Sequence, residues 1–211
     1  MKKYTKLSLM SVGILILGFS ISLLRYSALG TDPYTTMNLG ISETLNMSFG
    51  SYQLIVNSLL FILMLTYQRN KVGIGTVVNM VMVGFIADFF FPLVNKALSV
   101  NDDITFRLLV TIIAVFLACI GISMYMESEL GIAPYDALTN IVIDGVKKVK
   151  VPFFAARMII DIIAVTIGFT FGAIVGIATI LLAFLTGPIV HIIRGKVLSP
   201  LLTKEKLVKA I

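Results

Sequence analysis

The 211-residue chain is 58% apolar and 13% charged, and its mean hydropathy is +1.00. Soluble domains carry about 25% charged residues, and runs of about 18 or more mostly apolar residues, the length that crosses a bilayer, recur here. That excludes a soluble enzyme, a nucleic-acid binder and a disulfide-stapled module; the net charge of +6 must first be read as topological, because membrane proteins place Lys and Arg by side.

Six spans are expected in chain order: Leu7–Leu24, Tyr52–Tyr67, Val72–Phe91, Phe106–Tyr125, Phe153–Phe171 and Ile174–Ile193. All must be helices, because lipid offers the backbone no hydrogen-bond partner. The first follows Lys2, Lys3 and Lys6, so a signal peptide competes; the long apolar core and the lack of a small-x-small site before Tyr26 favour a retained helix. With both termini placed in the cytoplasm, thirteen Lys and Arg fall inside, among them Arg69, Lys71, Lys147, Lys148, Lys150 and the basic tail 194–211, and only Arg25, Lys96 and Arg107 fall outside. Trp is absent, so Tyr26, Tyr52, Tyr67 and Tyr125 at span ends are read as the interfacial belt. The lone Cys119 lies mid-run and reads as packing.

The chain repeats itself. Residues 29–34 (Leu-Gly-Thr-Asp-Pro-Tyr) match 130–135 (Leu-Gly-Ile-Ala-Pro-Tyr), and Val72-Gly73-Ile74-Gly75-Thr76 matches Val175-Gly176-Ile177-Ala178-Thr179 in the same order at nearly the same offset. Each half reads as a span, a polar connector and two further spans: repeat 1 over about 7–92, repeat 2 over about 106–193. Three spans are an odd number, so the second copy starts on the opposite side, giving an inverted-topology repeat in one all-helical transmembrane domain. The paired motifs resemble the YczE/YyaS/YitT group of bacterial integral membrane proteins over about residues 11–193. That resemblance implies a polytopic membrane fold and fixes no substrate. An Asp often follows the motif's Pro-aromatic pair in the group; Asp136 keeps it, whereas the first copy has Thr35.

Pro33 and Pro134 suit the first position of a helix, and Asp32 suits the cap before the first of them, a place Ala133 cannot fill. The apolar spacing that follows (Tyr34, Met37, Ile41, Leu45; Tyr135, Leu138, Val142, Val146) predicts two short amphipathic helices. Two readings are open. The helices lie flat at the interface, one per leaflet, or they are re-entrant and turn their N-termini, with free N–H groups, toward a central site. A 13-residue helix is about 20 Å long, which permits the second.

Arg157 and Asp161 share a face of the fifth span, and the repeat register pairs them with Gln53 and Asn57 of the second. They either line a solute or proton path, or Arg157 snorkels to the interface with Asp161 as its neutraliser. Asp88 and His191 occupy matched positions and are, with Asp161, the candidates for proton coupling; for His191 a structural role competes. Asn79 is either lining or packing, and Gly168, Gly172 and Gly176 fit either close helix approach or a tight turn. Gly187-Pro188 is expected to kink the sixth span, and Asp102-Asp103 to sit in a solvated external turn. The one His excludes a multi-His metal site, no cofactor motif is present, and no clustered acid, base and nucleophile suggests an enzyme. The expected function is a small secondary transporter or permease for a small anionic or zwitterionic solute, bound by Pro33, Tyr34, Gln53, Asn57, Pro134, Tyr135, Asp136, Arg157 and Asp161. The rival is a non-transporting accessory or substrate-binding subunit of another membrane complex. The partners expected are the lipid bilayer, the solute and a homo-oligomer or membrane partner protein.

Overall fold

The computed structural model describes residues 3–98, 103–145 and 152–200. Eight α-helices occupy them: α1 Lys3–Ser27, α2 Pro33–Thr44, α3 Phe49–Tyr67, α4 Ile74–Leu98, α5 Ile104–Glu127, α6 Pro134–Gly145, α7 Phe153–Thr170 and α8 Ile177–Ile192. A 3₁₀ turn at Arg69–Lys71 precedes α4, and a π-helical turn at Ile193–Leu198 extends α8. Six of these helices, counting α8 with its extension, are long and apolar enough to cross a membrane. The expected lysines 147, 148 and 150, Val146, Asp102 and the tail from residue 201 onward lie outside the described residues.

The boundaries follow local chemistry. α1 stops where Ala28 and Gly30 take left-handed backbone (φ 50° and 100°), and α5 stops where Glu129 and Gly131 do the same (φ 55° and 120°). Gly30 and Gly131 have a second reason to lack a side chain: a Cβ on Gly30 would strike Gly176 and Thr179, and one on Gly131 would strike Gly73 and Thr76. Proline then opens both short helices. Side-chain oxygens cap α3 (Ser48 from Ser51 N, 3.3 Å) and α5 (Asp103 from Thr105 N, 3.0 Å), so Asp103 is a helix cap rather than a free loop carboxylate.

α1 and α5 form the centre; about half of each is buried, against a fifth to a third of α3, α4, α7 and α8. They cross where Gly13 and Gly121 leave no room for a Cβ on either chain. Leu23, Leu24, Val110, Ala114 and Leu182 fill the space on one side of α1, and Met10, Ile14, Phe49, Val83 and Tyr125 fill it on the other. Side chains such as Ile62, Phe89, Ile162, Phe169 and Ile180 point outward at more than half exposure, an apolar surface suited to lipid.

Ion pairs mark two ends. Lys6 bonds Glu129 (2.7 Å) and Arg194 bonds Glu127 (3.1 Å), so the start of α1 meets the ends of α5 and α8. At the other end Arg25 bonds Asp88 (2.8 Å), and Arg107 donates to the Ser27 and Ala28 carbonyls (2.7 and 3.1 Å). The connectors are exchanged between the halves. The Leu29 carbonyl accepts from Ala178 N (3.0 Å), and the Leu130 carbonyl accepts from Gly75 N (2.8 Å). These are the matched positions of the two sequence motifs, so each half's connector is anchored on the helix start of the other.

Two expectations need correction. Tyr125 is 3% exposed and packs in the interior, so it is no part of an interfacial belt. The amphipathic reading of the short helices holds only at their starts: Tyr34 and Tyr135 of the apolar stripes are buried, but α2 also buries Thr35, Thr36, Asn38, Gly40 and Ser42, while Leu45 at its C-cap is 54% exposed. α6 likewise buries Ala137 and Thr139 and leaves Val142 39% exposed. When the outside solvent is hydrocarbon, the polar face is the one that needs protein around it.

Candidate functional site

Asp32 caps α2 by accepting from Thr35 N (3.1 Å), which spends part of its carboxylate on the helix's own N–H groups. α6 has no such side-chain cap and carries Asp136 in its first turn. The second residue of each helix is tyrosine, and the two rings stack with centroids 4.3 Å apart and planes 22° from parallel. The N-termini of α2 and α6 therefore meet inside the protein. Tyr34 and Tyr135 are 8% and 7% exposed, and Pro33 and Pro134 are buried beside them.

Each hydroxyl finds a partner at a matched position. Tyr34 donates to Asn57 Oδ1 on α3 (2.8 Å), and Tyr135 donates to Asp161 Oδ1 on α7 (2.6 Å). Asn57 is held in turn by donating to the Met80 carbonyl (3.1 Å). Arg157 ties the second cluster together. Its Nε donates to Asp161 Oδ2 (3.1 Å), its Nη1 to Asp136 Oδ1 (2.8 Å), and its guanidinium lies over the Tyr135 ring, 4.6 Å from the centroid. Arg157, half-buried, is thus engaged with three groups of the cluster. Asp32, read from the sequence only as a cap, lies within Coulombic reach of Asp161, Arg157 and Tyr135.

Of the residues expected to form a site, the fold brings together Pro33, Tyr34, Asn57, Pro134, Tyr135, Asp136, Arg157 and Asp161. Gln53 is buried one turn from Asn57, but its Oε1 has no partner and lies against Gly84, outside that network. Asp88 is far from it too: its carboxylate takes Arg25 and the Gly50 N–H (2.7 Å), and Arg25 sits over the Phe91 ring at 4.1 Å. His191 is exposed in the last turn of α8. The two matched positions therefore stand at separate places, neither in the tyrosine cluster. Asn79 is buried. Gly168 and Gly172 divide the two readings given to them: Gly168 presses on the α2 backbone at Thr36, and Gly172 turns the chain at φ 85°. The pairing of Arg25 with Asp88 escaped the sequence reading, since 63 residues separate them and each alone looked like an end-of-span charge.

A cleft of about 420 Å³ opens between Asn70–Ile74 and the chain from Glu129 to Ile132, the segment that leads into Pro134 and Tyr135, though no residue of the tyrosine cluster lines it. It lies at the end marked by the Lys6–Glu129 pair. Glu129 is exposed there, and Lys6 holds its carboxyl below the usual carboxylate range.

A chain whose described residues are all-helical outside short connectors, with six helices able to cross a bilayer, apolar outside and with charges within, is a multi-pass membrane protein. It belongs to a family of unknown function, DUF6198, whose model matches residues 4–195. It is 25% identical over 195 residues to the uncharacterized protein YyaS of Bacillus subtilis (92% of this chain, 95% of the relative), in line with the resemblance read from the motifs. It is also 28% identical over 180 residues to the uncharacterized membrane protein YczE of the same organism (85% and 80%), and 24% identical over 191 residues to an uncharacterized protein of Haemophilus influenzae (90% and 83%). No solved structure matches the chain.

Proposed function

We propose that the protein is a small secondary transporter whose two halves form an inverted repeat around a shared site, with both termini in the cytoplasm. The observation that carries this reading is the stacked Tyr34–Tyr135 pair, where two short helices of opposite halves meet beside a half-buried Arg157–Asp161 pair. Charges held inside a membrane protein are costly and mark solute or ion paths. Discontinuous helices that end near the bilayer midplane are the usual device of inverted-repeat carriers. The exchanged anchors of Leu29 and Leu130 and the matched partners Asn57 and Asp161 support the repeat. The thirteen-to-three bias of basic residues supports the orientation. In this reading α2 and α6 are re-entrant. The stacked rings close the path in this conformation, the cleft at Asn70–Ile74 and Glu129–Ile132 is the approach from the cytoplasm, and the rings must part for a solute to pass.

Solute counterflow in proteoliposomes holding only this protein tests transport. Counterflow lost in Tyr135→Ala supports the reading; an inert protein that copurifies with another membrane protein replaces it with the accessory-subunit role. Reporters fused after Tyr26 and after Tyr125 test the inversion, which requires them on opposite sides of the membrane.

A further inference from the structure

The buried atoms that lack a partner say more about the solute. Among the described residues, four buried side-chain oxygens have none: Asn38 Oδ1, Gln53 Oε1, Tyr125 OH and Thr139 Oγ1. Asn38 and Thr139 are fully buried and stand at matched positions of the two repeats, each one turn past its tyrosine on the same helix face. Asn38 already donates its Nδ2 to the Tyr34 carbonyl (2.8 Å), which fixes its free atom as an acceptor. Tyr125 lies within Coulombic reach of Asp136. A buried polar atom without a partner costs about 1–3 kcal/mol, so two at symmetric places beside one cluster point to a ligand that completes them.

The charges give its sign. Arg157 is the cation of the cluster, and Asp136 and Asp161 already share it, with Asp32 nearby. Carboxylates therefore outnumber the guanidinium. Both helix N-termini, which would otherwise attract an anion, carry a carboxylate of their own: Asp32 as the cap of α2 and Asp136 in the first turn of α6. The cluster carries an excess of negative charge, and Asn38 Oδ1 is an acceptor that no donor meets. Resting on the transport reading above, we infer that the cluster around the Tyr34–Tyr135 stack, once the rings part, takes a solute bearing a primary ammonium or guanidinium group, the amine end of a small zwitterion included, with Asn38 and Thr139 accepting its N–H groups and Asp32 and Asp161 balancing its charge. An anion lacking such a group is not taken.

Thermal unfolding of the full chain in detergent, followed with a thiol-reactive dye on the buried Cys119, tests this without any flux measurement. The additives are ethylammonium, methylguanidinium, glycine, acetate and tetramethylammonium, each against sodium chloride of equal ionic strength. Ethylammonium, methylguanidinium and glycine at about ten times their Kd raise Tm by about 3–6 °C. Acetate and the donor-free tetramethylammonium do not. Thr139→Val removes an unpartnered hydroxyl at nearly constant shape, so it keeps the ligand-free Tm while shrinking the amine-induced rise; Asp32→Asn shrinks that rise as well. Stabilisation by acetate in place of the amines overturns the assignment, and so does no rise with any of the three donors, or a rise that survives both substitutions. Transport stands or falls separately: amine stabilisation without counterflow removes the carrier and keeps the site, whereas acetate stabilisation with counterflow keeps the carrier and removes the amine.

Discussion

The Arg157–Asp161 pair sets a sharp expectation for a double-mutant cycle. Arg157→Gln leaves Asp136 and Asp161 without the cation between them, in a cluster that Asp32 also approaches. Breaking a buried pair from one side costs about 3–5 kcal/mol. The Arg157 side chain is 30% exposed, so the lower bound of about 3 kcal/mol applies here. Asp161→Asn keeps an acceptor for the Tyr135 hydroxyl and leaves Arg157 bonded to Asp136, so it costs less, about 2 kcal/mol, within the range for a hydrogen bond to a charged group. In the double variant the carboxylate excess returns to that of the parent, and the total falls short of the sum by about 1–2 kcal/mol, a coupling expected only of groups in contact. At about 2–4 °C per kcal/mol for a chain of this length, Arg157→Gln lowers Tm by about 6–12 °C. Dye-reported unfolding of Cys119 reads all three. Additive losses, or a larger loss for Asp161→Asn than for Arg157→Gln, would refute the charge ledger of the cluster.

Tyr135→Phe strips a donor from the buried Asp161 carboxylate and costs about 1.5–3 kcal/mol, whereas Tyr34→Phe strips one from the neutral Asn57 and costs about 1 kcal/mol; the same unfolding assay ranks them. Gly168→Ala places a Cβ 2.7 Å from the Thr36 carbonyl oxygen and loses about 1–3 kcal/mol. Gly187→Ala meets nothing within 4 Å in a helix and gains up to about 1 kcal/mol, so the two variants move Tm in opposite directions. The Glu129 carboxyl is held below its ordinary value by Lys6 but is exposed, so the pair contributes less than about 1 kcal/mol. Its folded-state affinity for the proton is lowered, so that contribution is present above about pH 4–5 and fades as pH falls through the folded value. Lys6→Ala therefore lowers Tm slightly at neutral pH and matches the parent in acid.

The spans were legible because hydrocarbon demands unbroken apolar length, and the motif pairs were legible because a turn to left-handed backbone before a proline leaves few residue choices. The buried face of α2 was not. Met37, Ile41 and Leu45 satisfy a helical stripe as well as any core face does, and periodicity alone cannot say whether a stripe looks at protein or at lipid. Asn57, Asp161 and Arg157 were found because the pairing of the two motifs sets Gln53 and Asn57 against Arg157 and Asp161, polar residues in otherwise apolar spans. Asp32 was read one step short: its local role as a cap is visible in six residues, while its approach to Asp161 depends on how the other half folds over it. Asn38 and Thr139 carried a signal that went unused, lying in the same register one turn past the tyrosines.

The exchanged anchors bear on how the chain is made. The Leu29 carbonyl, which follows the first span, finds its donor at Ala178, near the start of the last one. During synthesis the Leu29 carbonyl must wait for that donor until the last span has been made. A product truncated before the final helix lacks the donor for Leu29, and one half of the chain alone lacks the anchor for its own connector, so two separately expressed halves are each expected to be less stable alone than when produced together.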